Sequence, residues 1–236
     1  KWALSIEENG RCSSRRRRRR DFIEPIGLYS LLLLVIWTPR PWQWALWIVA
    51  SVCTIAVIAL SFDGLRTMGI FTDNLLRSLL AVALAGAVAL LSVAIAARLH
   101  TLPLPPSPLL FIRHYGGYAL WAGLQQLILQ CFFLSRSLRL IPNATAAAGL
   151  SAVLFAVAHL PNPVLSVITL VCGLAACLFF LHYRNLLPLA VAHAILGIAI
   201  AITIPGKVDH NMRVGSSYWQ WVDRPMVSGT LPWSKQ

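Results

Sequence analysis

Long apolar stretches, separated by short polar or proline-containing breaks, make up most of the chain. A helix that crosses a bilayer needs about 20 apolar residues in succession. The pattern therefore predicts an all-α protein, a multi-pass bundle of about seven transmembrane helices. The predicted spans are Ile26–Trp37, Trp42–Phe62, Leu75–Ala97, Gly116–Leu134, Thr145–Leu160, Pro163–Leu181 and Leu186–Ile204. The first span is shorter than the others, because Pro39 and Pro41 follow soon after Trp37.

This layout divides the chain into three regions. Residues 1–21 form an Arg-rich N-terminal tail, residues 22–204 form the transmembrane helical domain, and residues 205–236 form a juxtamembrane C-terminal tail. The C-terminal tail is rich in aromatic residues, namely Tyr218, Trp219, Trp221 and Trp233. Such residues favour the headgroup zone of a membrane or the surface of a partner. The polar run Asp209–Arg213 fits either an ordinary loop or a lid over a site.

Composition and charge narrow the class of protein. Hydrophobic residues make up 58% of the chain and charged residues 12%, which excludes a soluble domain of this length. The net charge is +12, and Arg11 together with the run Arg15 to Arg20 supplies seven of the twenty basic residues. Such a basic tail beside a membrane fits anionic lipid headgroups better than nucleic acid. Basic residues favour the cytoplasmic side of a membrane. We therefore expect a multi-pass protein of a cell membrane, of the bacterial inner membrane type, with a cytoplasmic N-terminus, lipid partners and no nucleic-acid partner.

Two histidines inside predicted spans are the candidate chemical groups. No aspartate or glutamate lies between Asp73 and Asp209, yet His159 and His193 fall within apolar stretches. Ionisable side chains at that depth are costly and therefore indicate function. The nearest polar residues on another span are the adjacent amides of Gln125 and Gln126.

Three short motifs resemble a known family. They are Gln125-Gln126-Leu-Ile-Leu-Gln130, Phe155-Ala-Val-Ala-His159 and His193-Ala-Ile-Leu-Gly197, in that order on successive spans. The order is similar to that of the CPBP family of intramembrane proteins, which includes type II CAAX prenyl endopeptidases and the Abi-like bacteriocin-processing proteins. That family shows Glu-Glu-x-x-x-Arg, then Phe-x-x-x-His, then His-x-x-x-Asn/Asp. The similar core covers about residues 116–204.

The resemblance implies a catalytic site with some of its groups replaced. In the family, a glutamate activates water, the histidines polarise it, and the asparagine holds an oxyanion. Here Gln125, Gln126 and Gln130 replace both glutamates and the arginine, and Gly197 replaces the asparagine. An amide cannot accept a proton near neutral pH. A degenerate site of Gln125, Gln126, His159 and His193, supported by Phe155, Gln130 and Gly197, is therefore expected, with proteolysis reduced or lost.

The implied substrate is a prenylated or membrane-tethered peptide. If activity survives, either histidine could act as the base while the other donates a hydrogen bond to the carbonyl.

Other interpretations stay open at this point. The chain fits a non-catalytic accessory subunit that binds other integral membrane subunits of a redox or pigment complex, with His159 and His193 ligating a haem or another tetrapyrrole. Ser151 and His193 could form a rhomboid-like pair, and the histidines could simply fix helix packing. Two histidines without a third ligand do not close a zinc site, so we predict no metal and no bound cofactor.

Overall fold

The structure is a computed structural model that describes residues 2–60, 64–65, 68–70, 74–102, 104 and 107–223. Trp233 lies outside these residues. Every regular element in the described part of the chain is helical. The α-helices are α1 (Trp2–Trp37), α2 (Gln43–Leu60), α3 (Leu75–Arg98), α4 (Pro108–Gln126), α5 (Ser135–Leu140), α6 (Ala144–Val157), α7 (Pro163–Tyr183), α8 (Leu186–Thr203), α9 (Gly206–Asp209) and α10 (Ser216–Val222). A π-helical segment (Leu127–Leu134) joins α4 to α5, and a short 3₁₀ turn (His210–Met212) follows α9.

Several of these helices are long and apolar enough to cross a bilayer. Within the described residues five candidates meet that criterion: α2, α3, the continuous rod Pro108–Leu140, α7 and α8. Helix α6 is apolar but has only 14 residues. The prediction of an all-helical, multi-pass membrane protein is confirmed, whereas the number of seven spans stays a prediction.

Two helices begin earlier than the hydropathy pattern predicts. Helix α1 runs unbroken from Trp2 through the Arg-rich tail and into the first predicted span, with Pro25 inside it. Arginine is a good helix former, so the basic run does not interrupt the helix. Helix α4 begins at Pro108 rather than Gly116, because the Ser107 side chain accepts a hydrogen bond from the Leu110 amide and caps its first turn.

Helix α8 is the packing centre of the bundle. Both α3 and α4 pack along it, while α6 pairs with α7 and α1 pairs with α2. One part of the core joins Leu129 and Leu134 of the π-helical segment to Phe180 of α7 and Leu189 of α8. This packing fixes α4 against α8, which are the two helices that carry the glutamines and His193.

Ion pairs fasten α1 to the end of the rod. The guanidinium of Arg139 donates two hydrogen bonds to the Asp21 carboxylate, at 2.9 and 2.7 Å, and Arg136 donates to Glu24 over 2.7 Å. Burial alone would raise the pKa of Glu24, but its hydrogen bonds with Arg136 and Arg20 lower the pKa overall. These carboxylates hold α1 against α5.

The C-terminal segment (Gly206–Val222) folds back onto the bundle. The buried side-chain amide of Asn162 donates to the backbone carbonyls of Asp209, at 2.6 Å, and Arg213, at 3.1 Å. The Gly215 amide donates to the carbonyl of Leu160 over 2.9 Å. The segment is therefore held against the turn that connects α6 to α7.

Candidate functional site

A cavity of about 740 Å³ lies within the helix bundle. Residues from α1 to α4, the π-helical segment, and α6 to α8 form its walls, and most of the lining surface is apolar. The polar lining includes Tyr29, Tyr118, Gln125, Gln126, His159, Thr169 and His193. None of the described residues that line the cavity is an aspartate or a glutamate. The structure thus brings both predicted histidines and both predicted glutamines to the wall of the same cavity.

Gln126 and His193 form a direct hydrogen bond across α4 and α8. The amide nitrogen Nε2 of Gln126 lies 3.1 Å from Nδ1 of His193. An amide nitrogen only donates, so Nδ1 accepts, and the neutral His193 ring carries its proton on Nε2. Gln130 orients the amide from the other side, since its Nε2 donates to Oε1 of Gln126 over 3.1 Å. Gln130 therefore positions Gln126 without lining the cavity itself.

His159 holds its proton on the opposite ring nitrogen. Its Nδ1 lies 2.7 Å from the backbone carbonyl oxygen of Phe155, one turn earlier. A carbonyl only accepts, so Nδ1 donates and Nε2 keeps its lone pair. The two imidazoles consequently offer one acceptor, on His159, and one donor, on His193.

Phe155 places the two imidazoles near each other. Its ring meets that of His159 edge-on with centroids 4.8 Å apart, and that of His193 edge-on with centroids 5.8 Å apart. The backbone of α7 comes close on the other side, since a Cβ at Gly173 would lie 3.1 Å from the Phe155 ring. Phe155 is thus confined between α7 and the two histidines.

A tyrosine that the sequence analysis did not select occupies the place opposite Gly197. A Cβ added at Gly197 would overlap the hydroxyl and the outer ring atoms of Tyr118. Tyr118 reaches there from α4, and the two residues are 79 positions apart in the chain. No local motif signals such a contact, because it depends on how α4 packs against α8.

Ser151 does not belong to this site. Its side chain is fully buried, and the hydroxyl donates to the Ala147 carbonyl over 2.8 Å within α6. Ser151 also does not line the cavity. The geometry therefore favours a packing role for Ser151 over a rhomboid-like pairing with His193.

The C-terminal segment closes part of the cavity. Asn211, Met212, Val214 and Ser217 contribute to the wall. Residues 210–212 all have left-handed backbone angles, with φ of 51 to 54 degrees, an arrangement that is costly for residues other than glycine. The run Asp209–Arg213 thus reaches the cavity wall, and its role as a lid stays a prediction.

Asp209 carries a buried carboxyl group in the C-terminal segment. It is 1% exposed, and its side chain accepts a hydrogen bond from the Asn211 amide over 2.9 Å. Burial raises the pKa of Asp209 to about 6, although the Asn211 hydrogen bond and the nearby His210 oppose the rise.

The fold and the site define a multi-pass membrane protein with a polar histidine and glutamine cluster inside an apolar cavity. Residues 117–199 match the family model described as type II CAAX prenyl endopeptidase Rce1-like. The match covers all three motifs and confirms the family resemblance for this part of the chain. No curated protein and no solved structure shows significant similarity to the chain.

Proposed function

We propose that this protein binds a prenylated or otherwise membrane-tethered peptide in its cavity, and that the glutamate-dependent proteolysis of its relatives is reduced or lost. One observation carries the proposal: the polar cluster of His159, His193, Gln125 and Gln126 opens into an apolar cavity whose described walls contain no carboxylate. The cavity suits binding, and the cluster lacks the acid that cleavage would need.

The cavity has the size and surface of a binding site for a lipid chain. Ligand sites typically enclose about 300–1,000 Å³ and have mostly apolar walls with a few polar groups. Each methylene group moved from water into such a space contributes roughly 0.8 kcal/mol. The few polar groups at the cavity wall can then meet the peptide part of the ligand.

Hydrolysis by the family mechanism lacks two of its parts here. Gln125 and Gln126 cannot accept the proton of an attacking water. Gly197 has no side chain to stabilise an oxyanion, an interaction commonly worth about 3 kcal/mol. His159 retains a lone pair on Nε2, but the described walls of the cavity offer no carboxylate to stabilise the imidazolium that would form. Any remaining hydrolysis is therefore slow.

Binding is the property to measure first. A fluorescent farnesylated tetrapeptide and the same peptide without the farnesyl group are titrated into the purified protein in nanodiscs. We expect at least tenfold tighter binding of the farnesylated peptide, because only that ligand fills the apolar space. Ala176→Phe on α7 should weaken this binding, since Ala176 lines the cavity.

Val171→Phe is the matched control on the same helix. Val171 is 63% exposed on the outer surface and does not line the cavity, so its substitution should leave binding unchanged. Equal affinity for both peptides would contradict the proposal. Co-purification with other membrane subunits at a fixed ratio, or a coloured tetrapyrrole in the pure protein, would instead support the accessory-subunit alternative.

A further inference from the structure

The hydroxyl of Tyr118 takes the space that a side chain at residue 197 would occupy. An added Cβ at Gly197 would overlap this hydroxyl, so the glycine allows the tyrosine to reach the wall of α8. Tyr118 and Gly197 both line the cavity. A hydrogen-bond donor on α4 is thus present next to a helix that offers none at this position.

The Tyr118 hydroxyl has no hydrogen-bond partner in the described part of the chain. Tyr29 lines the same cavity but differs, because its hydroxyl donates to the Leu154 carbonyl over 2.8 Å. A ligand in the cavity that supplies an acceptor can form a hydrogen bond with the Tyr118 hydroxyl. The hydroxyl of Tyr118 is therefore available to a ligand, whereas that of Tyr29 is already used.

His193 provides a second donor one helical turn away. Residues 193 and 197 are four apart on α8 and share a face, with a rise of about 6 Å between them. Gln126 occupies Nδ1 of His193, which leaves the proton on Nε2 for a ligand. A carbonyl oxygen has two lone pairs and can accept from both groups.

We propose that the Tyr118 hydroxyl and the His193 Nε2–H form a two-donor site for a carbonyl oxygen of the ligand. This inference rests on the proposed function, and it names the ligand class more closely: a lipid-modified molecule whose apolar chain carries an amide, ester or carboxyl group. A plain isoprenoid hydrocarbon has no oxygen that could accept from the two donors.

Two probes test the inference: N-acetyl-S-farnesylcysteine methyl ester, which has carbonyl groups, and farnesyl ethyl thioether, which has no oxygen atom. Tyr118→Phe removes only the hydroxyl. We expect about tenfold weaker binding of the ester and no change for the thioether. Gly197→Ala should cause a similar loss by displacing Tyr118, and the double variant should be no worse than either single variant.

Tyr29→Phe is the control, since it removes a hydroxyl from the same cavity without removing an available donor. It should leave the ratio of the two affinities unchanged. If Tyr118→Phe binds the ester as tightly as the unsubstituted protein does, the inference is overturned while the proposed function stands. If the unsubstituted protein binds neither probe, both are overturned.

Discussion

At the scale of single residues, the two histidines differ in which nitrogen carries the proton. The Phe155 carbonyl fixes the proton of His159 on Nδ1, and the Gln126 amide leaves that of His193 on Nε2. A group that both accepts and donates, such as a water or a secondary amide, complements this pair. We therefore expect the site to bind a polar group, although the described cavity walls lack a carboxylate that would drive proton transfer.

Asp209 gives a prediction about pH. Folding raises the pKa of the Asp209 carboxyl, so protonation of this group stabilises the folded state. The stabilisation is complete at pH values below the unfolded pKa and is lost as pH rises through the folded pKa of about 6. Asp209→Asn removes the charge but keeps an oxygen that can accept from the Asn211 amide. We expect this variant to melt about 2–4 °C above the unsubstituted protein at pH 7.5.

The difference should shrink as pH falls through the folded pKa of about 6 and approach zero only below the unfolded pKa of 3.8, where Asp209 is neutral in both states. Thermal unfolding followed by intrinsic fluorescence across this range measures it. Asp223→Asn, an exposed carboxyl near the end of the same segment, is the control and should not change the profile. A constant difference at all pH values would show that charge on Asp209 is not the cause.

At the scale of elements, the buried side chain of Asn162 is one of the groups that hold the C-terminal segment against the bundle. It caps α7 by accepting from the Leu165 amide over 3.1 Å and also donates to the Asp209 and Arg213 carbonyls. We predict that Asn162→Ala lowers the free energy of unfolding by about 3 kcal/mol, because it removes a cap and leaves buried carbonyls unsatisfied. Limited proteolysis should also cleave within residues 206–222 sooner.

Asn143→Ala is the matched control for this variant. Asn143 caps α6 through the Ala146 amide, at 3.0 Å, and is exposed. Its loss should cost only about 1 kcal/mol and leave the C-terminal segment as resistant to protease as before. Equal effects of the two variants on proteolysis would mean that Asn162 does not hold the segment.

Elements could be predicted where their cause is local. Asn143 at the start of α6 and Pro163 in the first turn of α7 could be read from the sequence, because capping and proline geometry act within one turn. The spacing of four residues between Phe155 and His159 likewise indicates a shared helix face from the sequence alone. The π-helical segment could not be predicted, because a shifted hydrogen-bond register leaves no signature in an apolar run.

Contacts between residues that are far apart in the chain could not be predicted from the sequence. The overlap of Tyr118 with the space above Gly197 depends on the packing of α4 on α8. The attachment of the C-terminal segment depends on Asn162, which is 47 residues from Asp209. Sequence patterns report the face and depth of each helix, whereas such contacts require the assembled bundle.

At the scale of the whole molecule, α1 connects two distinct ends of the bundle. Asp21 and Glu24 pair with α5 at one end, while Ser216 of the C-terminal segment donates to the Thr38 carbonyl, at 3.2 Å, near the other. Asp21 and Thr38 are about 25 Å apart along a helix axis. A separation of this length is close to the thickness of a bilayer core, and the cytoplasmic location of the Arg-rich end stays a prediction.

We propose that the cavity retains a lipidated peptide but cleaves it poorly, because the described residues that line it beside the histidines include no carboxylate. The most direct test is hydrolysis of a farnesylated peptide by the purified protein in nanodiscs, followed by mass spectrometry. We expect the peptide to bind, and we expect its rate of cleavage to be close to the rate in nanodiscs that contain no protein. Rapid turnover, abolished by both His159→Ala and His193→Ala, would contradict it.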